Sequence, residues 1–126
     1  MKFLDANILA YAFYANEFQL ASQKALRQSS MTDTLALIEA FNIIEKQTNR
    51  EYALESLRSI LRSDIEIVTI DVNIFFETLK IAKGNEKLSI YDLTHYFNAL
   101  TKNCESILTY DKDFDHLSIE REEPKL

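Results

Sequence analysis

The sequence has almost no glycine or proline, with one residue of each among 126. Both residues mark turns and loops, so their scarcity predicts a chain of helices and strands with short connections. A β-sandwich or barrel would need more turn glycines. Apolar residues make up 47% of the chain, which disfavours disorder and suffices for a core. We therefore expect residues 1–126 to form a single domain.

Cysteine and long apolar runs are also scarce. The single cysteine, Cys104, excludes an intrachain disulfide and is expected to pack as a small apolar side chain. No segment approaches the ~18 apolar residues of a membrane span. Asp5 and Asn7 interrupt the first apolar stretch, which a signal peptide would need unbroken. We expect a cytoplasmic protein with no membrane partner.

Positive charge is scarce as well, and the formal net charge is −6. A simple DNA- or RNA-binding module holds phosphates with basic residues of its own, and this chain lacks that excess. Two interpretations remain open. Either the protein avoids polyanions, or its acidic excess includes a cluster whose charge is cancelled by bound cations.

Short apolar segments with strand character alternate with helical patterns along the chain. We predict strands over 2–5, 29–33, 66–71 and 106–110, with a weak edge strand near residue 119, and helices over 8–14, 17–28, 34–46, 50–62, 72–83 and 90–103. This alternation predicts a three-layer α/β/α fold with a short parallel sheet of four to five strands. Ligands of such sheets bind beyond the carboxyl ends of the strands.

Aspartates stand at or just beyond the predicted strand ends: Asp5, Asp33, Asp71 and Asp111. Each of them could simply cap the helix that follows, and for Asp33 and Asp71 we favour that interpretation. Asp5 lies between two apolar runs, where an unpaired carboxylate costs several kcal/mol. For Asp5, metal binding and capping therefore remain equally open.

Glu39 is an acid within an apolar helical segment. Leu35, Ile38 and Ile43 lie next to it on the same side of the predicted helix. A charge on the sheet-packed side of a helix needs a partner. The alternative is that Glu39 extends to solvent beside Asn42.

Asp92 has a simple explanation in the first turn of a predicted helix. Ser89 precedes it with capping-box spacing, and the helix dipole favours an acid there. Asp92 also lies at the margin of the apolar face, where the small Ala99 leaves room for another group. His95 could share that space, either with a direct role or as an ordinary core histidine.

Three acids follow the fourth predicted strand within residues 109–115. Alone, they are typical of a solvated charged turn. Several carboxylates converging on one edge of the sheet would repel one another. Mg²⁺ or Mn²⁺, which prefer carboxylate and water oxygens, would neutralise them.

Four segments together resemble the motifs of the PIN domain family, and they lie in the family's order: Phe3 to Leu9, Leu37 to Ile44, Leu88 to Asp92 followed by Ala99, and Ile107 to Phe114. The resemblance covers almost the whole chain, whose length is that of VapC-type toxins of toxin–antitoxin pairs. One departure is a residue missing between Thr109 and Phe114, which leaves Asp113 without an assigned role.

The resemblance implies an endoribonuclease that hydrolyses phosphodiester bonds of single-stranded RNA. It implies that Mg²⁺ or Mn²⁺ is held by a quartet of acids: Asp5, Glu39, Asp92 and Asp111. It further implies that Asn7 and Thr109 orient the cluster or the phosphate. The runner-up is a receiver-like signalling domain, but that would need adjacent acids after the first strand, where Ala6 and Asn7 stand. A non-catalytic PIN-like interaction domain is disfavoured by the complete quartet.

Aromatic residues crowd the first two predicted helices, at Tyr11, Phe13, Tyr14 and Phe18. One interpretation is that two of the four pack inward and two are partly exposed. The other is an apolar surface that marks a protein interface. On the second interpretation we predict a homodimer and a groove that receives a helix of an antitoxin. A chain of net charge −6 suits a basic inhibitor.

Overall fold

The computed structural model describes residues 1–126 and contains one sheet of five parallel strands. The strands are β1 (Lys2–Leu4), β2 (Ser30–Asp33), β3 (Glu66–Val68), β4 (Ser106–Leu108) and β5 (Glu120–Glu122), and their order in the sheet is β3-β2-β1-β4-β5. All neighbouring pairs are parallel, so every strand has its carboxyl end at the same edge. The predicted α/β fold is confirmed, with the upper number of strands.

Six α-helices and one 3₁₀-helix cover the two faces of the sheet. They are α1 (Ala6–Tyr11), α2 (Gln19–Leu26), α3 (Thr34–Gln47), α4 (Arg50–Leu61), α5 (Val72–Ala82), α6 (Ile90–Thr101) and the 3₁₀-helix Lys112–His116. Helices α1 to α4 pack together on one face, whereas α5 pairs with α6 on the other. None of these helices has both the length and the hydropathy needed to cross a bilayer.

Successive residues of each strand serve different layers of the core. Leu4 and Leu108 pack in the cluster formed with α1, α3 and α4. Phe3 and Ile107, one residue earlier in the same strands, pack in the cluster formed with α6. The two central strands are therefore apolar on both faces, as a sheet covered by helices on both sides requires.

Several elements differ from the sequence prediction by one to three residues at their ends, and two of these differences have a clear cause. Strand β3 ends at Val68 rather than at residue 71, because it is an edge strand that pairs only with β2 and its chain then turns to Asp71, the cap of α5. Helix α1 starts at Ala6, two residues earlier than predicted, because Asp5 already caps it. Gly84, two residues beyond the end of α5, has a φ of +89°, in the left-handed region that glycine adopts without strain.

Helix α3 is buried along one narrow stripe, so the prediction that the apolar side chains beside Glu39 form the packed side of the helix is wrong. Its buried stripe is Ala36, Ala40 and Ile44, at four-residue spacing, and the alanines let α1 approach closely. Ile38, which was expected to line the buried side of Glu39, is 67% exposed. Glu39 therefore lies at the boundary of the packed stripe, with its side chain 30% exposed.

The aromatic residues Tyr11, Phe13, Tyr14 and Phe18 lie at the end of α1 and in its connection to α2, and all four are half-buried rather than divided into two inner and two outer residues. Tyr11 stacks on Phe18 at 5.7 Å between ring centroids, and Phe18 lies 4.2 Å from the Tyr110 ring that follows β4. Much of the surface of these aromatic rings is therefore in contact with other aromatic rings of the same chain. The largest exposed apolar side chains of a single helix lie on α5, which sequence reasoning did not single out: Val72, Phe75, Phe76 and Leu79.

Candidate active site

An aspartate follows or ends each of the first four strands of the chain: Asp5, Asp33, Asp71 and Asp111. Each of them accepts a hydrogen bond from a backbone N–H at the start of the next helix, at 2.7–2.9 Å. The capping interpretation of Asp33 and Asp71 is confirmed. Capping uses one carboxylate oxygen, so the second oxygen of each aspartate distinguishes their further roles.

Thr109, the fully buried residue after β4, joins two strand ends through its hydroxyl. Its Oγ1 donates to Asp5 Oδ2 at 2.7 Å and accepts from the Asn7 side-chain amide at 3.2 Å and from the Asp111 backbone N–H at 3.1 Å. We call Asp5, Asn7, Thr109 and Asp111 the threonine-centred group. Its interactions join the ends of β1 and β4, which carry Asp5 and Asp111.

His95 of α6 joins two further carboxylates and is fully buried. Its Nδ1 lies 2.7 Å from Asp33 Oδ2, and its Nε2 lies 2.6 Å from Glu39 Oε1. The Asn98 side-chain amide donates to the same Asp33 oxygen at 3.1 Å. We call Asp33, Glu39, His95 and Asn98 the histidine-centred group.

Both ring nitrogens of His95 face carboxylate oxygens, so both must donate and the ring is an imidazolium. Burial alone would lower the pKa of His95. The hydrogen bonds to Asp33 and Glu39 and the charges of Asp33 and Asp5 outweigh burial and raise this pKa to about 10. The two groups meet here, because His95 Nε2 is also 3.9 Å from Asp5 Oδ1.

Asp92, in the first turn of α6, is repelled by the negative charges of the threonine-centred group. Burial, and then the negative charges of Asp5 and Asp111, raise the pKa of Asp92 to about 6, although His95 lowers it in part. Burial also raises the pKa of Asp5, against the opposing effects of His95 and Thr109. Burial is the largest cause of both shifts, and repulsion from neighbouring carboxylates adds to it.

Of the six residues predicted for the site, Asp5, Asn7, Thr109 and the Asp111 backbone are joined by hydrogen bonds at the carboxyl edge of the sheet. Glu39 is linked to Asp5 through His95, and Asp92 interacts with Asp5 and Asp111 through charge alone. Two other acids stay outside. Asp71 is exposed, and its side chain only caps α5. Asp113 is exposed and lines a separate cavity of about 260 Å³ beside Gly84 and Leu117.

A cavity of about 580 Å³ lies between α2 and the C-terminal tail and contains none of the clustered carboxylates. The cavity and the clustered carboxylates are therefore two separate candidate sites. We favour the carboxylates, since a site that admits a nucleic-acid strand to acids on a sheet edge needs no enclosed cavity. The cavity carries a mixture of acidic and basic side chains without convergent chemistry.

The donor chemistry of the site fits a hard divalent cation. The candidate ligands are carboxylate oxygens, and the buried Asn7 Oδ1 has no hydrogen-bond partner. No group of three or more His, Cys, Asp or Glu side chains has the arrangement of a complete ligand set. Mg²⁺ commonly takes one or two carboxylates and keeps several waters, so an incomplete protein set is compatible with it.

Sequence reasoning did not find the histidine-centred group as a unit. Asp33 was assigned a cap only, and His95 was left between two interpretations. The one available signal was that His95 and Asn98 are three residues apart, on the same face of α6. The partner of His95 on β2 lies 62 residues earlier along the chain, which no local pattern reveals.

Comparison with known proteins gives a family and several similar folds. The PIN domain family model matches residues 2–120. The structure of VapC20 from Mycobacterium tuberculosis, a toxin that cleaves the sarcin-ricin loop, has a TM-score of 0.86 at 13% identity over 98% of this chain and 100% of that one. No curated protein matches the sequence.

Two further similar structures are complexes. VapBC2 from Rickettsia felis, bound to a DNA fragment from its promoter, has a TM-score of 0.75 at 18% identity, covering 98% of each chain. A toxin–antitoxin complex from Klebsiella pneumoniae has a TM-score of 0.70 at 16% identity, covering 94% of this chain and 93% of that one. At these identities the likeness concerns the fold.

Proposed function

This chain belongs to the PIN domain family, and on that premise we propose that it is a metal-dependent endoribonuclease, the toxin of a toxin–antitoxin pair. The observation that supports the proposal is the position of His95 Nε2, 2.6 Å from Glu39 and 3.9 Å from Asp5, beside Asp92, whose pKa is raised by burial and by the charges of Asp5 and Asp111. The cleavage of the sarcin-ricin loop by the similar Mycobacterium tuberculosis toxin supports the same class of substrate.

The proposed chemistry is hydrolysis of a phosphodiester bond of single-stranded RNA. Asp5, Glu39, Asp92 and Asp111 would hold Mg²⁺ or Mn²⁺, which when bound lowers the pKa of a water and stabilises charge on the reacting phosphate. The chain supplies no nucleophile of its own. Thr109 holds Asp5 and the Asp111 backbone in register, which keeps the carboxylates where they are used.

The negative net charge agrees with this function if local charge attracts the substrate. Cations at the carboxylate cluster, together with exposed basic residues such as Lys112 beside Asp111, would attract RNA while the whole chain stays acidic. With RNA as the substrate, we propose that the protein acts in the cytoplasm.

A cleavage assay tests this function. Purified protein should cut single-stranded RNA with Mg²⁺ or Mn²⁺ and should not cut it in EDTA. Asp5→Asn and Asp111→Asn should abolish cutting, whereas Asp71→Asn, the same change at an exposed cap outside the cluster, should not. Full cleavage in EDTA would reject the metal mechanism, and no cleavage under any condition would favour the non-catalytic alternative.

An antitoxin is the protein partner that we propose, since two of the similar structures are complexes of this kind. A basic segment entering the acidic edge would inhibit by occupying the cation or phosphate position. Expression of the chain alone should stop growth, Asp5→Asn should not, and co-expression of the neighbouring gene's product should restore growth. Continued growth with wild type at high expression would argue against a toxin.

We also propose a homodimer, formed through α5 with a second copy of this chain. Val72, Phe75, Phe76 and Leu79 repeat at the spacing of one helical stripe and are 81%, 50%, 58% and 48% exposed. A two-fold axis would bury the same stripe from both copies at once. Neighbouring α3 and α6 extend this apolar surface through the exposed Ile38 and Tyr91.

Light scattering tests the homodimer directly. Wild type should have twice the mass of the chain, and Phe76→Glu should shift it toward the monomer without unfolding it. Tyr52→Glu, a matched change at an exposed aromatic residue of α4, should leave the mass unchanged. A strictly monomeric wild type at high concentration would contradict the dimer.

A further inference from the structure

The imidazole of His95 is held between two carboxylates that play different parts in the fold. Asp33 ends β2 and is fully buried, whereas Glu39 lies about one and a half turns further along, in α3, with its side chain 30% exposed. Hydrogen bonds at 2.7 Å and 2.6 Å join His95 to these two residues. Rotating the ring would break both bonds, so its orientation is fixed.

The Asp33 side of this arrangement is anchored independently of His95. Asp33 Oδ1 accepts from the Ala36 backbone N–H at 2.8 Å, and Oδ2 also accepts from the Asn98 side chain at 3.1 Å. Asp33 is thus held in place by the backbone and by Asn98. Because Asp33 fixes the His95 ring, the ring in turn restrains the Glu39 side chain. The Glu39 side chain is long and rotatable, and its only hydrogen bond within the chain is to His95.

We propose that His95 is a positioning residue that holds Glu39 for the cation. The Nε2–H bond engages Glu39 Oε1 and leaves Oε2 without a hydrogen-bond partner in the chain. A carboxylate fixed at one oxygen presents the other in a defined place, which a metal site needs from the surroundings of its ligands. The inference rests on the proposed function, because Oε2 is the oxygen that Mg²⁺ or Mn²⁺ would take.

A purely structural role is the competing explanation, since His95 also ties α6 to the start of α3. Two substitutions separate the roles. In His95→Gln the amide nitrogen lies near the position of Nε2 and can still donate to Glu39. In His95→Asn the amide nitrogen lies near the position of Nδ1 and can still donate to Asp33.

Affinity for Mn²⁺, measured from the free-ion signal in electron paramagnetic resonance, gives a readout besides activity. We expect His95→Asn to weaken Mn²⁺ binding by roughly 10- to 100-fold, the usual effect of removing a group that orients a ligand. His95→Gln should retain more affinity than His95→Asn. His116→Asn, at the only other histidine, which is exposed, should bind as wild type does.

Equal Mn²⁺ affinity of wild type and folded His95→Asn would overturn the proposal, as would weaker binding by His95→Gln than by His95→Asn. The proposed function fails differently, because wild type itself would then bind no Mn²⁺. If His95→Asn does not fold, nitrogen NMR of the metal-free wild type decides. With only two histidines the His95 signals can be assigned, and Glu39→Gln should shift Nε2 more than Nδ1. Equal shifts of the two nitrogens, or no shift of Nε2, would overturn the proposal.

Discussion

The threonine-centred group and the histidine-centred group each hold two carboxylates at the same edge of the sheet, but they compensate the charge differently. In the first, Asp5 and Asp111 are fixed by neutral donors, namely the Thr109 hydroxyl and backbone N–H groups. In the second, Asp33 and Glu39 share the imidazolium of His95. The first group contains no positive side chain of its own, although His95 Nε2 lies 3.9 Å from Asp5 Oδ1. The two carboxylates of the second group share the single positive charge of His95, so about half of their charge is compensated within the protein.

The difference indicates which carboxylates are free for an external cation. Hydrogen bonds from neutral groups orient a carboxylate without cancelling its charge, whereas a buried ion pair cancels it. Asp5 and Asp92, whose pKa values are raised, have more to gain from a cation than Asp33 has. Three strand-end aspartates that share the cap role, Asp5, Asp33 and Asp71, allow the comparison to be tested with one type of substitution.

The largest effect is expected on the rate of RNA cleavage when an aspartate of the threonine-centred group is replaced by asparagine. Asp5→Asn keeps the side-chain shape and an oxygen for the Ala6 N–H but removes the charge needed by the cation. The rate of RNA cleavage should fall more than about 100-fold. The free energy of unfolding in urea without metal should stay unchanged or rise, because a repelling charge is lost. A marked loss of stability would show that Asp5, like Asp33, stabilises the fold through its charge.

For the histidine-centred group we expect the opposite pattern, in which replacing an aspartate lowers the stability of the fold. Asp33→Asn keeps the cap of α3 but leaves the buried imidazolium with one charged partner instead of two. The free energy of unfolding should fall by about 2 kcal/mol, below the roughly 3–5 kcal/mol of a fully broken buried ion pair. Asp71→Asn, the same change at an exposed cap, is the control and should shift stability by less than about 0.5 kcal/mol. Equal effects at Asp33 and Asp71 would remove the distinction between the groups.

A smaller effect is expected from loosening the threonine-centred group without changing its charge. Thr109→Val keeps the volume of a fully buried side chain but removes the hydroxyl that joins Asp5 to the end of β4. Cleavage should fall roughly 10-fold or more, and Thr109→Ser should recover most of it. Thr101→Val, at an exposed hydroxyl of α6, should cleave as wild type does. If Thr109→Val were fully active, its orienting role would be rejected.

The fold and part of the site followed from local patterns. Strand–helix alternation predicted the parallel sheet, and the carboxyl ends of strands predicted where Asp5 and Asp111 meet. The surroundings of Glu39 were misjudged, because helical periodicity alone does not reveal that α1 packs on Ala36 and Ala40 and leaves Ile38 exposed. His95 could not be assigned because its partners come from β2 and α3, and such pairing is a property of the folded chain.

The apolar stripe of α5 is a second feature that sequence periodicity could not fully predict. Its spacing predicts an amphipathic helix that buries this face, and the sequence does not tell an internal neighbour from a second copy. In the structure α5 packs on α6 through Ile74, Thr78 and Ile81, which leaves the adjacent stripe open.

The most direct test of the central claim is the stabilisation of the protein by metal. Thermal and urea unfolding with and without Mn²⁺ should show wild type and Asp71→Asn stabilised, by about 2.7 kcal/mol at an Mn²⁺ concentration of about 100 times the dissociation constant. Asp5→Asn should gain little or nothing at the same concentration. Wild type that Mn²⁺ does not stabilise, or Asp5→Asn stabilised as much as wild type, would contradict the assignment of the uncompensated carboxylates to a cation.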